Sequence, residues 1–293
     1  MKRKKTTTMP NTVFKQQVGN TTVSFVRGGI FSPVVKSPKR PQDDIIFKNH
    51  WAKLTILKKY NRMTQVHINI LDCIIASAIK INKGFVKMSN GEIRLFFEPY
   101  TVLKMLEQKG KNYKWLRGKL DDLVATLIEI ETDKNTAHEG ILHFHKWSKT
   151  LNPNAVKKTS RFKSGAGYYY VAVINPGFAN FFNIEINMNY IKILPDIIRL
   201  HDGILQAFVR FCISHNELNM PLIDVLYNIR AEISDDRQRQ RTIKKINDNA
   251  GLLYDKFKIK LENGIVYHRH ADIEGIYFIS PETSADKGVD DKR

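Results

Sequence analysis

The stretch SDDRQRQRTIKKINDNAGLLYDKFKIKLENGIVYHR, residues 234–269, decides how the fold of this 293-residue chain is read. Ser234 is a helix-capping residue type, and Asp235 and Asp236 follow where carboxylates suit the positive end of the helix dipole. The helix predicted from there runs to Asn249 or Ala250 and stops near Gly251. Two alternating runs, Lys256–Leu261 and Ile265–Arg269, then flank Asn263-Gly264, the dipeptide that a tight hairpin turn favours. Projected at about 100° per residue, Ile243, Ile246, Ala250 and Leu253 share one arc. Arg237, Arg241, Lys244, Lys245 and Asp248 share the opposite arc with Gln238 at its edge, while Arg239 projects onto the apolar side.

Upstream, Ile197, Leu200, Ile204, Phe208 and Phe211 mark a long buried helix over about 196–215, and Pro221 opens a second helix to about Arg230. Two helices, a third with one basic face, and then a hairpin follow the order of a winged helix-turn-helix. The same order stands earlier in the chain. Leu71, Ile74, Ile75, Ala78 and Ile79 predict a helix over 67–81, and Glu92–Glu98 reads as a strand. Pro99 starts a helix to about Gln108, and the turn Lys109-Gly110-Lys111-Asn112 leads to a third helix from Tyr113 to about Ile128. Strand-like runs near 128–132 and 141–147, joined by the polar stretch Asp133–Gly140, close the order. Ser148–Gly167 reads as a basic loop and Tyr168–Ile174 as a further strand.

The expected fold class is therefore α+β, with two tandem winged helix-turn-helix domains after a basic, largely extended arm. The arm covers 1–60, the domains cover 61–180 and 181–275, and a polar tail covers 276–293. The arm reading rests on breakers (Gly28-Gly29, Pro33, Pro38, Pro41) and on charge: residues 1–60 hold thirteen Lys and Arg against two Asp.

Charge also points to the partner. Lys and Arg number 47 against 29 Asp and Glu, a net +18, which suits an acidic partner such as nucleic acid. No apolar run reaches the roughly 18 residues that cross a bilayer, and Lys2–Lys5 leads into threonines rather than an apolar stretch, so neither a span nor a secretory signal is expected. Cys73 and Cys212 sit among core-type residues and suggest no disulfide scaffold or cysteine zinc site; a reducing cytoplasm fits them. Neither a phosphate-binding GxxxxGK[ST] loop nor a GxGxxG fingerprint occurs, so no nucleotide cofactor is expected.

In a helix-turn-helix the third helix enters the major groove, where Arg can donate two bonds to guanine and Gln can read adenine. Arg237, Gln238, Arg241, Lys244 and Lys245 are thus candidate base or phosphate contacts. On the wing, Lys256, Lys258 and Lys260 recur at period two with Arg269 on the return strand, a comb suited to phosphates; the same period fits a plain amphipathic strand. In the first domain the third helix is expected to bury Tyr113, Leu116, Leu120, Leu123, Val124 and Leu127. Its outer arc carries Lys114, Trp115, Gly118, Lys119 and Asp122, so Lys109, Lys111 and Lys114 are candidate phosphate contacts, and Trp115 suggests either a protein contact or packing on a neighbouring element.

One rival constellation stands out. His143-Phe144-His145 followed by Tyr168-Tyr169-Tyr170 resembles the rolling-circle nicking nucleases, in which paired histidines hold a metal and a tyrosine attacks phosphate. Here the tyrosines lie in a strand-like run and no third ligand is identifiable, and His268 and His270 only repeat the spacing. The expectation is a non-enzyme without metal or cofactor.

Arg27-Gly28-Gly29-Ile30-Phe31, Lys114-Trp115-Leu116 leading to Leu120 and Leu123, Phe178-Ala179-Asn180-Phe181-Phe182, and Leu205-Gln206-Ala207-Phe208 with Phe211 and Ser214-His215 carry a further likeness. In this order they resemble the replication initiators of iteron-containing plasmids, in particular the TrfA-like initiators, over residues 25–270. The resemblance implies a cytoplasmic protein that binds direct repeats in a plasmid origin as double-stranded DNA, melts nearby AT-rich DNA and recruits the host initiator and helicase-loading proteins. It also implies a homodimer surface on the first domain, which gives way to a DNA-binding monomer. The alternatives are a winged-helix transcription regulator and, behind it, the metal-dependent origin-nicking initiator.

Overall fold

The computed structural model describes residues 21–33, 45–49, 51–58, 63–81, 84–108, 112–143, 150–151, 168–231, 233 and 235–280. The expectations placed on Lys2–Lys5, Lys109, Lys111, His145, Ser234, most of the Ser148–Gly167 loop and residues 281–293 lie outside the described residues. The chain folds as a mixed α+β structure.

The supposed arm is the first correction. Thr21–Thr22 form β1 and Val23–Arg27 form α1, with the Thr22 hydroxyl accepting from the Phe25 amide. Phe25, Ile30 and Phe31 are buried, and the Phe25 ring meets Phe178 and Phe181 at 5.5 and 5.3 Å. Apolar density at 23, 25, 26, 30 and 31 outweighs the Gly28-Gly29 breaker, because burying those side chains more than repays the loss of backbone freedom. Further on, β2 (Ile45–Lys48) and β3 (Lys53–Lys58) form an antiparallel hairpin inside the stretch read as arm.

Helix α2 (Gln65–Lys80) is buried along most of its length. It leads through β4 (Phe85–Lys87) and β5 (Ile93–Phe97) to α3 (Pro99–Met105) and α4 (Tyr113–Ala125). The hairpin after α4 differs from expectation. β6 (Leu127–Glu131) pairs with β7 (Thr136–Glu139), and the two add to β2 and β3 in the order β2-β3-β6-β7. Ile128 and Ile130 alternate with Glu129 and Glu131, and the turn closes early because the Thr132 amide donates to the Asn135 carbonyl at 2.8 Å. Beyond Gly140 the chain turns back: β8 (Leu142–His143) pairs with β10 (Tyr168–Ile174), which also takes β9 (Thr150–Leu151). The sheet order is β4-β5-β10-β8, so the strand before the helix pair lies next to the last strand and not next to the intervening one.

The second half opens with an element absent from the sequence reading, α5 (Pro176–Ile184), and with β11 (Asn187–Asn189). The helix expected over 196–215 is two, α6 (Leu194–Arg199) and α7 (Gly203–Ile213). They break where His201 takes a positive φ of 51° and Asp202 caps the second helix by accepting from the amides of Ile204 and Leu205. Then comes a missed strand, β12 (Glu217–Pro221); Pro221 ends it and is also the N-cap of α8 (Leu222–Asn228), the helix it was expected to open. Asp235 caps α9 (Asp236–Asp248), and the chain continues as α10 (Ala250–Phe257) beyond the expected stop. Leu253 and Phe257, four apart and both buried, carry that extra helix, which Lys258 terminates at φ 52°. The strand read as Lys256–Leu261 is therefore only β13 (Lys260–Glu262). It joins β14 (Ile265–Arg269) through Asn263 (φ 51°) and Gly264 (φ 76°), the pair of positive values that the Asn-Gly signal requires. This sheet runs β12-β14-β13, and β15 (Tyr277–Ile279), inside the stretch read as tail, pairs with β11, which also pairs with β1.

One buried apolar cluster runs from Phe25 to Ile276 through both halves. At its centre α2 meets α7 through polar groups. The fully buried Arg210 guanidinium donates to Asp72 (3.1 Å), Asn69 (2.6 Å), Gln65 (3.0 Å) and the Tyr190 hydroxyl (3.1 Å). Tyr190 in turn donates to Asp72 at 2.7 Å, and burial pushes its own pKa well up. Fully bonded, such a network fixes which helices meet and at what register.

Candidate nucleic-acid interface

Helix α9 is amphipathic in an unusual proportion. Thr242 and Ile246 are its buried residues, with Ile243 half-buried against the core. On the outside, Arg237, Gln240, Arg241, Lys244, Asn247 and Asp248 are exposed. At about 1.5 Å of rise per residue, Arg237 and Lys244 stand roughly 10 Å apart, the height of about three base pairs. Among the described residues, none of Arg237, Arg241 and Lys244 has an ion-pair partner.

The other members of the expected strip are placed differently. Lys245 is half-buried and donates to Asp202 at 2.7 Å, which turns it toward the start of α7. Gln238 is half-buried, and Arg239 lies against Asp236. Gln240, which the sequence reading passed over, is exposed beside Arg241; its angular position lies farther from the centre of the expected strip than that of Gln238, so the projection did not favour it.

The lysine comb on the wing does not form, because its three members fall on three kinds of backbone. Lys256 lies in the last turn of α10, near Asp196 (4.0 Å). Lys258 is the left-handed cap, its ammonium 5.4 Å from the Tyr254 ring centre. Lys260 alone is in the strand, 2.8 Å from Glu262, whose carboxylate raises its pKa. Arg269 lies 3.5 Å from Glu217 across the sheet. The outer row of that sheet carries Lys260, Tyr267 and Asn219 in register, all exposed.

Helix α4 is rotated from its expected setting. Leu116, Leu120 and Leu123 are buried as read, but Asp122 is buried too, while Tyr113 is exposed. The Thr64 amide donates to His67 Nδ1, so Nε2 carries the proton and faces the Asp122 carboxylate at 3.2 Å. Burial pushes the His67 pKa down, which keeps the ring neutral near pH 7. Lys119 closes the cluster at 2.9 Å from Asp122. Trp115 is half-buried against the chain's own core, the second of the two readings it was given. The exposed face is Tyr113, Lys114, Arg117, Gly118 and Asp121. Arg117 was missed because the buried arc was drawn through Tyr113 and Val124, which put Arg117 on its flank.

Around the His-Phe-His run, β8 ends at His143, and Tyr170 packs near Phe97 with ring centres 6.1 Å apart. Among the described residues no group of three or more His, Cys, Asp or Glu is placed to hold a metal, and no helix is long and apolar enough to cross a membrane. Burial raises the pKa of both Cys73 and Cys212.

Comparison with known proteins gives one clear result. No protein-family model matches the chain, and no curated protein sequence matches it. Among solved structures, a selenomethionine derivative of domains 2 and 3 of RctB is similar at a TM-score of 0.50 and 12% identity, covering 85% of this chain and 98% of that one. A second structure of RctB domains 2–3 aligns at a TM-score of 0.40 and 13% identity, over 82% of this chain and 94% of that one. The first of these likenesses establishes the shared fold of the two chains.

Proposed function

We propose that this chain is a sequence-specific, double-stranded-DNA-binding initiator of plasmid replication, built as two tandem winged helices. The observation that carries the reading is the exposed strip of Arg237, Gln240, Arg241 and Lys244 on a helix anchored by Thr242 and Ile246. The hairpin β13–β14 follows that helix and α10 in the chain and pairs with β12, an order that supports a groove-reading helix with a wing. The net charge of +18 supports a polyanionic partner. In the first half, the order β5, α3, α4, β8, β10 with the last strand in the middle supports a second winged helix.

In this reading several chains bind direct repeats, and their summed contacts bend and open adjacent AT-rich DNA. Bending a site costs on the order of 1–6 kcal/mol. The open strands then receive the host initiator and helicase-loading proteins. No bond is broken, so the protein is not an enzyme.

The full chain, offered a pool of random duplexes, is expected to enrich one motif. Arg241→Ala costs about 1–3 kcal/mol and relaxes the preference at one base position. A uniform loss over all sequences reduces Arg241 to a phosphate contact, and no enrichment overturns the reading. Permanganate-sensitive opening of supercoiled DNA beside the bound motif distinguishes an initiator from a transcription regulator, which binds and leaves the duplex closed.

A further inference from the structure

Helices α3 and α8, which precede α4 and α9 in the two halves, end in the same strained way. Five non-glycine residues among those described take a positive φ; Glu107 (55°), just after α3, and Arg230 (57°), just after α8, are two of them. The amide of each donates to the carbonyl three residues back, Lys104 at 3.1 Å and Tyr227 at 2.9 Å. The following amide reaches back five residues, to Leu103 and to Leu226, at 2.9 Å in both. This closure needs a left-handed residue, and glycine is the usual choice because a Cβ is strained there.

In place of glycine stands a side chain that crosses to the other half. Glu107 accepts from Arg199 Nε, at the end of α6, at 2.8 Å, and its second oxygen lies 3.9 Å from His201 Nε2. Arg230 reaches the opposite way. It donates to the Gly29 carbonyl at 2.7 Å, and its guanidinium lies 5.5 Å from the centre of the Phe47 ring in β2. The path is shaped around it: Gly29 has a φ of 68°, and a Cβ there would meet Arg230 Cδ at 2.9 Å. Lys258 supplies the contrast. It is also left-handed after a helix, yet it stays with its own segment, against Tyr254 and 3.3 Å from the Asp255 carbonyl.

Stability does not account for Glu107. The side chains of Arg199 and Glu107 are 59% and 40% exposed, and an ion pair that open to water adds little. Backbone strain that no such gain offsets points to a position kept for function. The buried Arg210 network joins the halves where α7 meets α2, and ties away from it restrict rotation about that joint. Each tie holds the residue at which the chain leaves a short helix for α4 or α9.

We propose that Glu107 and Arg230 are positioning residues, reciprocal braces that each fasten the end of one half's short helix to the other half and so hold α4 and α9 at one separation. The braces are a matter of geometry. Their use, fitting one chain to duplex segments of fixed spacing, rests on the duplex-binding reading above.

Nitroxides on Asp121→Cys in α4 and Asn247→Cys in α9, both exposed, report that separation in the full chain without DNA; the native Cys73 and Cys212 are buried. With no other change the distance distribution is expected to be narrow. Glu107→Gly and Arg199→Ala, which remove one brace from its two ends, broaden it equally, and Arg230→Met adds to the broadening. Glu107→Gln and Arg230→Lys keep an acceptor and a donor and leave it narrow. Glycine suits the left-handed position, so Glu107→Gly leaves Tm level or raises it by up to about 4 °C. In unlabelled chains, one base pair inserted at the middle of the duplex enriched from a random pool weakens wild-type binding by about tenfold. The Glu107→Gly, Arg230→Met double variant loses about threefold or less.

An unchanged distance distribution in the double variant overturns the proposal. So does a fall in Tm of more than about 4 °C in Glu107→Gly, which makes that residue a support of the fold alone. Equal losses on insertion in both chains overturn the use given to the braces. If the wild-type chain enriches no duplex, the duplex reading fails and the distances alone decide the braces.

Discussion

Helices α4 and α9 occupy equivalent places in two similar successions of elements, yet they are held in opposite ways. Three leucines and a buried carboxylate bind α4 to its neighbours, and Asp122 is shared there between His67 and Lys119. Thr242 and Ile246 are the buried residues of α9, and the apolar load passes to Leu253 and Phe257 in the next helix. The lesson is a division of labour. A helix whose anchoring is delegated to its successor can give most of its surface to polar side chains, whereas one that anchors itself has only a narrow face left.

Four measurements break or sharpen this comparison. The largest effect is expected where the halves join. Arg210→Met removes the cation that faces the buried Asp72 carboxylate, which should cost about 3–5 kcal/mol in urea unfolding. Adding Asp72→Leu should recover most of that loss; if it does not, the network contributes through shape and not through charge.

Next comes the contrast between the helices themselves. Arg241→Ala should cost about 1–3 kcal/mol of DNA binding with relaxed base preference, whereas Lys114→Ala should weaken all sequences alike and lower the salt slope by about 1. Equal behaviour of the two variants would erase the distinction drawn between α9 and α4.

Acid should act on the second half through two imidazoles. Burial pushes the pKa of His215 down to about 3 and that of His268 down to about 4. Both rings are neutral when folded, whereas the unfolded chain takes up protons near pH 6.5. Stability is thus full above about pH 6.5 and falls as the pH drops toward 4 and 3, by about 1 kcal/mol per ring for each pH unit. Urea midpoints from pH 7 to 4.5 should show this decline, and His268→Leu should make it shallower. An unchanged profile in that variant would mean that His268 is not the titrating group.

The smallest effect is expected at Lys245. Its pairing with Asp202 makes it part of the scaffold, so Lys245→Ala should change stability by about 0–1 kcal/mol and base preference not at all. A shift in base preference would return it to the reading face.

Local signals were the legible ones. The periodicity of residues 71–79 located α2 to within two residues at its start, and Asn263-Gly264 located the hairpin. Both depend on neighbours in the chain, which a sequence displays directly. The sheet β2-β3-β6-β7 joins residues about 75 positions apart, such as Leu54 and Ile130, and no local pattern announces such a pairing. β12 escaped notice because Glu217–Pro221 is short, and it becomes a strand only by pairing with β14. The candidate strip shows the same divide. Arg237, Arg241 and Lys244 were found from spacing alone, while Lys245 left the strip because Asp202 is near it in space and not in sequence.

By itself the sequence determined the sign of the molecule's charge, the helix that carries the basic strip and the turn of the last hairpin, since each follows from residue type and short-range period. Only the tertiary structure decided that residues 21–33 and 45–58 belong to the body of the fold. It also set which face α4 turns outward and joined the two halves through Arg210. Those outcomes depend on burial and pairing between distant segments, where the free energy of removing apolar surface and satisfying buried charge outweighs local preference.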